Sequence, residues 1–104
     1  MKPYKVLMTG PAAKDLQLIA GYIADELLEP AIAKKLVSKI KEAVMSLAKM
    51  PTRHALVADE RLAAQGIRKL IVENHIAFYV KSEKDETVTV IRILYGRRDW
   101  EHLI

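Results

Sequence analysis

The residues best suited to chemistry in this sequence are basic and aromatic, and most lie near the C-terminal end. Arg92, Arg97 and Arg98 fall within seven residues, and Tyr95 and Trp100 flank the last two. Arginine binds a phosphate or a carboxylate through parallel hydrogen bonds, and a neighbouring aromatic ring can stack on a base. The segment therefore suits recognition of an acidic partner.

A structural role explains the same segment equally well. Arg97 could pair with Asp99 or Glu101, Arg98 could be solvated, and Trp100 could pack the tail onto the core. Charged runs usually form solvated faces, so spacing alone leaves both interpretations open.

Arg92 and Arg68 interrupt apolar strands, where an unpaired charge would be costly. Each must either pair with an acidic group or open onto a functional surface. The sequence also suggests that both arginines and the segment after Leu94 line one edge of a sheet.

The three histidines offer few chemical roles. His75 follows Asn74 at an expected hairpin; its ordinary pKa, about 6.5, suits general acid or base catalysis, but a plain turn residue explains it as well. His54 lies in a loop and His102 in the tail, and the sequence alone assigns neither a role.

Composition excludes several classes of site. The chain has no cysteine, and its histidines lack ligand spacing, so we expect no disulfide, no metal and no cofactor. Nucleotide-binding and hydrolase motifs such as GxGxxG, the P-loop and GxSxG are absent from the sequence. Seventeen basic against thirteen acidic residues give a net charge of +4, which favours an acidic partner.

The length and hydrophobicity predict one small domain over residues 1–104. About half of the 104 residues are hydrophobic, enough for a modest core. No apolar run is long enough to span a bilayer, and the first residues do not resemble a secretory signal, so we expect a cytoplasmic protein without membrane contact.

The first half of the chain predicts a strand and two helices. Residues 5–8 form a short strand, and Thr9 and Pro11 suit the start of a helix whose apolar face runs from Ala12 to Leu27, with Asp15 pointing away from it. Pro30 begins a second helix, which ends before Pro51. The short connection predicts an antiparallel helical hairpin.

The second half predicts three antiparallel strands. In residues 52–65 the hydrophobic residues show no sustained periodicity, so this segment is interpreted as a loop, although residues 59–64 could make one helical turn. Strands follow at residues 67–72, 76–81 and 87–94, with short breaks that suit hairpins. The last is apolar on both faces and should be central. The fold class is therefore α+β, ordered β-α-α-β-β-β, with the helical hairpin on one face of a single sheet.

Set in this order, nearly the whole chain resembles the ParE/RelE family of bacterial toxins. The segments that carry the resemblance are residues 4–6, 12–16, 19–23, 66–70, 74–79 and 90–100. The resemblance implies a type II toxin–antitoxin, or plasmid-stabilisation, module in which a disordered, helix-forming antitoxin segment wraps the toxin. It also implies two possible activities, because ParE-like members inhibit DNA gyrase whereas RelE-like members cut messenger RNA on the ribosome.

Departures from the RelE-like pattern favour gyrase inhibition without catalysis. Ile76 stands where many RelE-like sequences carry an arginine that would stabilise the reacting phosphate. No evident catalytic Tyr or His follows the arginine pair, unless His102 or Tyr95 substitutes. The expected gyrase contacts are Arg68, Tyr95, Arg97, Arg98 and Trp100.

Two alternatives remain open. A ribosome-dependent ribonuclease would use Arg68 and Arg98 to hold the phosphate, with Tyr95, His75 or His102 transferring protons. A third possibility is an inactive member that retains only antitoxin binding.

Overall fold

The computed structural model describes residues 3–97, 100, 103 and 104, which form four strands and a helical layer. The elements in chain order are β1 (Lys5–Met8), α1 (Gly10–Gly21), a π-helical segment (Tyr22–Glu26), α2 (Pro30–Ser46), α3 (Glu60–Ala64), β2 (Arg68–Val72), β3 (His75–Ser82) and β4 (Thr87–Tyr95).

The strands form one sheet in the order β1-β4-β3-β2. The three C-terminal strands pair sequentially and antiparallel, and β4 lies between β1 and β3, so the predicted order and the central last strand are confirmed. β1 runs parallel to β4, which makes the sheet mixed. Two parallel strands must be joined by a long crossover connection. Here the chain between β1 and β4 contains both long helices.

The helices begin where the sequence places them. Thr9 caps α1 by accepting a hydrogen bond from the Ala12 amide at 3.1 Å, and Pro30 stands in the first turn of α2. Their apolar faces pack against the sheet in a core that includes Leu16, Ile40 and Val90.

The predicted apolar face of the first helix was wrong at two positions. Asp15 does not point away, because its carboxylate is buried against β4. Leu27 is 53% exposed rather than buried. The π-helical segment explains the second error: its wider turns change the angular step that places Leu27 in line with Ala12.

The segment interpreted as a loop contains a short helix, α3. The Asp59 carboxylate caps it by accepting a hydrogen bond from the Leu62 amide at 3.1 Å. Leu62 packs with Val57 and Phe78 in a second core on the opposite face of the sheet, and Trp100 packs against the same core. Both faces of the sheet are therefore covered. In the part of the chain that the structure describes, no helix is long and apolar enough to cross a membrane.

Candidate interaction surface at the end of the sheet

Arg92 is held inside the protein by an ion pair. Its Nε and Nη2 atoms donate to the two Asp15 carboxylate oxygens at 2.7 and 2.9 Å, and its Nη1 atom donates to the Leu103 carbonyl at 2.9 Å. The hydrogen bonds that Arg92 donates to the Asp15 carboxylate raise the pKa of Arg92 above its ordinary value. Of the two alternatives for Arg92, the structural pairing is confirmed.

Asp15 also completes the edge of β4. β1 pairs with β4 only as far as the Met8–Val90 pair, so the next part of β4 has a neighbouring strand on the β3 side alone. The Asp15 carboxylate accepts a hydrogen bond from the Ile93 amide at 3.0 Å, and the Thr9 hydroxyl donates to the Ile91 carbonyl at 2.8 Å. These two side chains replace the missing strand, because buried backbone groups require partners.

Arg68 holds a loop instead of joining the C-terminal arginines. Its Nη1 atom donates to the His54 carbonyl at 2.7 Å. Arg68 lies opposite Tyr79 in the middle of β3, whereas Tyr95 lies opposite His75 at the start of β3. About 13 Å of strand separates Arg68 from Val72, which pairs with His75. The structure therefore does not align Arg68, Arg92 and Tyr95 along one edge.

His75 and Tyr95 meet at the end of the sheet. They form a pair across β3 and β4, with ring centroids 5.7 Å apart and an interplanar angle of 77°. The Gly96 amide donates to the Asn74 carbonyl at 2.8 Å, and a Cβ atom on Gly96 would lie only 3.3 Å from that oxygen. Glycine permits this close approach, which fixes Tyr95 beside the β2–β3 turn.

The His75 ring is partly buried and short of hydrogen bonds. Burial lowers the pKa of His75 below its ordinary value, because desolvation disfavours the charged ring. Its Nδ1 atom is buried and has no hydrogen-bond partner among the residues that the structure describes. Burial therefore disfavours protonation of the His75 ring in the folded protein.

A cleft of about 560 Å³ opens beside His75 and Tyr95. Its other wall is formed by α1 and the π-helical segment, where Leu18, Tyr22 and Leu27 are each more than half exposed. None of these three residues was predicted from the sequence to be part of a functional surface. The sequence did contain a signal for them: the apolar residues of the first helix cover more of its circumference than one buried face can accommodate, which indicates an exposed apolar surface.

The remaining candidates fall into three groups. Arg97 is exposed and follows the strand that carries Tyr95. Trp100 is half-buried and packs on Phe78 with ring centroids 4.7 Å apart, so it contributes to the second core. Arg98 and His102 lie outside the described residues. Among the residues that the structure does describe, no cluster of three potential metal ligands occurs.

Comparison with known proteins places this fold among bacterial toxins. A family model described as the ParE toxin of the type II toxin–antitoxin system parDE matches residues 6–100. The chain therefore belongs to the ParE toxin family. A search of curated proteins found no match.

Solved structures of toxins share the fold. A chromosomal ParDE system from P. aeruginosa is 26% identical, with a TM-score of 0.72 over 88% of this chain and 95% of that one. The RelBE2 toxin–antitoxin complex from Mycobacterium tuberculosis is 22% identical, with a TM-score of 0.63 over 91% and 93%. A mutant of the E. coli toxin RelE in the free state is 11% identical, with a TM-score of 0.69 over 97% and 92%. The last two likenesses concern the fold alone.

Proposed function

We propose that this toxin inhibits DNA gyrase by binding it and that a cognate antitoxin neutralises it. The observation that carries the proposal is the match to the ParE family over residues 6–100, since gyrase is the target expected of ParE-like toxins. Inhibition by binding needs an exposed, well-positioned surface and no catalytic group.

The proposed gyrase contact is the end of the sheet. Tyr95 is 41% exposed, the turn at Asn74 and Gly96 fixes its backbone, and the exposed Arg97 follows. A rigid aromatic side chain next to an arginine is a common centre of protein interfaces. Arg98 belongs to the same segment and is proposed as a further contact, whereas Trp100 packs on Phe78 in the second core and Arg68 bonds to the His54 carbonyl away from this surface.

The arrangement of the described residues favours binding over RNA cleavage. A ribonuclease needs a cation at the reacting phosphate and a proton-transfer group within reach of the same atoms. Arg68 donates to the His54 carbonyl and lies several strand positions from the His75–Tyr95 pair. Ile76, beside that pair, carries no charge. Among the described residues, these two features separate Arg68, one of the two proposed cations, from the proton-transfer candidates His75 and Tyr95.

We further propose that the antitoxin is an acidic chain that folds on this toxin. Opposite charge accelerates association with a protein of net charge +4. The exposed apolar side chains of Leu18, Tyr22 and Leu27 provide the surface that such a segment could cover while it becomes ordered.

The decisive experiment is plasmid supercoiling by purified bacterial gyrase in the presence of this toxin. We expect supercoiling to be lost or cleaved DNA to accumulate, and the antitoxin to reverse either effect. The double variant Tyr95→Ala/Arg97→Ala should weaken inhibition by at least about tenfold, because it removes two interface side chains. Lys84→Ala is the matched control, since it also removes an exposed positive charge, from the β3–β4 turn at the other end of the sheet.

Unaffected gyrase, tested with folded toxin that still arrests growth, would overturn the gyrase proposal. Ribosome-dependent cleavage of messenger RNA should then be measured with Arg68→Ala and His75→Ala. Normal growth of cells that accumulate the folded toxin without antitoxin would instead assign the chain to the inactive, antitoxin-binding class.

A further inference from the structure

The positive charge of this protein is concentrated in one part of the chain. Residues 30–50 contain five lysines and a single acidic residue, Glu42. Of the seventeen basic and thirteen acidic residues in the whole chain, twelve of each lie elsewhere, and their charges cancel. The net charge of +4 is therefore carried by α2 and the turn that follows it.

The lysines lie on the side of α2 that faces away from the sheet. Ile40 and Val44 point into the core, whereas the exposed positions of the helix and the next turn include four lysines. We define this lysine face as Lys34, Lys35, Lys41 and Lys49. At about 1.5 Å per residue, the lysine face extends over roughly 20 Å.

Neighbouring carboxylates do not neutralise the lysine face. Within the part of the chain that the structure describes, none of its four ammonium groups forms an ion pair, whereas Lys39 on the flank of α2 pairs with Glu73 at 2.6 Å. Three clefts border α2 and the turn after it, and the described residues that line each cleft include one more cation than carboxylates. Positive charge therefore remains unmatched along the lysine face.

The lysine face does not suit partners that bind through apolar contacts. Between Lys34 and Lys49, Met45 is the only large hydrophobic side chain that is exposed. A bound amphipathic helix or a bilayer surface requires an apolar stripe beside the charges. The apolar stripe of α2 is buried in the core. The face therefore fits a partner that is recognised through charge alone.

The phosphate backbone of duplex DNA is such a partner. It presents one negative charge per about 1.7 Å of axis, so a row of roughly 20 Å faces about six base pairs. Residues 30–50 contain no aromatic residue, the type of side chain that stacks on the bases of a single strand. All five basic residues are lysines, which contact phosphates as point charges and lack the planar fork that suits arginine to bidentate recognition of guanine.

We propose that the lysine face of α2 binds the phosphate backbone of duplex DNA without preference for sequence. The ammonium groups replace counterions condensed on the duplex, and the release of these ions drives the binding. Such binding concentrates the toxin on the DNA that gyrase handles. Only the choice of DNA over RNA rests on the proposed function, because the binding itself involves neither gyrase nor antitoxin.

Fluorescence anisotropy of a labelled DNA duplex, titrated with the purified toxin at several salt concentrations, tests the proposal. The logarithm of the association constant should fall with the logarithm of the salt concentration with a slope of about −3 to −4, as expected for four phosphate contacts. The variant Lys34→Gln/Lys41→Gln should reduce the slope to about −2 and weaken binding in about 50 mM salt at least tenfold. Glutamine preserves the helix, because its helix propensity is close to that of lysine.

The matched control is Lys5→Gln/Lys84→Gln. It removes two exposed lysines from β1 and the β3–β4 turn, so its net charge equals that of the α2 variant. It should retain the wild-type slope and lose less than about threefold in affinity, since distant charges are screened. Equal weakening by both double variants would show that net charge alone attracts the DNA, which would overturn the assignment to α2.

Acetylation of the wild-type toxin locates the contact without any substitution. With the DNA duplex bound, the amino groups of Lys34 and Lys41 should react at least about threefold more slowly, because they face the phosphates. Lys84 is the internal control and should react at an unchanged rate. Mass spectrometry of the modified peptides provides the comparison, and protection of Lys84 instead of the α2 lysines would contradict the proposal.

Three other results would overturn the proposal. These are an absence of DNA binding in about 50 mM salt, tighter binding to a single strand or an RNA duplex, and tighter binding to vesicles of anionic phospholipid. The assay contains no gyrase, so each of these results leaves gyrase inhibition to its own test. DNA binding by a toxin that leaves gyrase unaffected would overturn the proposed function alone.

Discussion

The interior of β4 and the end of the sheet use the same residue types in opposite ways. Arg92 donates three hydrogen bonds to Asp15 and the Leu103 carbonyl, whereas Arg97, five residues later, is exposed. Tyr79 is fully buried, and its hydroxyl donates to the Pro51 carbonyl at 2.8 Å, whereas Tyr95 stands 41% exposed. A polar side chain is structural where the fold supplies its partner and is available for binding where the fold does not.

Asp15→Ala should produce the largest loss of stability. It leaves the Arg92 charge without its carboxylate and the Ile93 amide without its acceptor, in a site where the Asp15 side chain is only 9% exposed. Removing one member of a buried ion pair costs about 3–5 kcal/mol. Urea unfolding monitored by circular dichroism measures the change in free energy of unfolding.

The double variant Asp15→Ala/Arg92→Met is the control for the Asp15 prediction. It removes the unpaired charge and should therefore recover part of the stability that Asp15→Ala loses. A loss below about 1 kcal/mol for Asp15→Ala would contradict the structural role of the pair.

Tyr79→Phe should have an intermediate effect. The variant keeps the buried ring but leaves the Pro51 carbonyl without its hydrogen-bond donor. We expect a loss of about 1–2 kcal/mol in the free energy of unfolding. Tyr95→Phe is the matched control at the end of the sheet; its exposed hydroxyl should change stability by less than about 0.5 kcal/mol. Equal losses for the two variants would remove the contrast between the regions.

The smallest expected effect is a pH dependence from His75. Burial lowers the pKa of His75 in the folded protein, so the unfolded chain binds a proton more readily. Stability from this residue is present above its ordinary pKa of 6.5 and declines as the pH falls below that value towards the lowered pKa. The pKa of His54 is also lowered by burial and contributes in the same direction.

His75→Asn should therefore lose less stability than the wild type when the pH falls from about 7.5 to 5.5. This range lies above the ordinary pKa of 4.5 for the exposed carboxylates Glu73 and Glu83, which limits their contribution. Unfolding curves of both proteins at the two pH values provide the comparison. Parallel declines would show that desolvation of His75 has no measurable effect.

Much of the fold was predictable because its signals are local. The residues of β1, the caps at Thr9 and Pro30, and the β-branched runs of the last three strands depend on neighbours in the sequence. Leu27 was mispredicted, and α3 was anticipated only as a possible turn within a loop, since a π-helical segment and a five-residue helix leave little periodic pattern.

The candidate site was less predictable because its members meet through strand register. The pair of His75 and Tyr95 depends on how β3 aligns with β4, including a bulge beside Phe78. The same register places Arg68 at a distance from Tyr95, although both residues carry chemistry that suits one site. The spacing of residues in the sequence does not reveal how β3 aligns with β4 or how far Arg68 lies from Tyr95.

The sequence by itself determined the toxin family, the order of the elements and the excess of positive charge, because these follow from residue types and their order. Only the tertiary structure decided that Arg92 pairs with Asp15 and that Tyr95 lies against His75. The reason is physical: the role of a polar group depends on which groups the folded chain brings within hydrogen-bonding distance, and those groups are separated by up to 82 residues in the sequence.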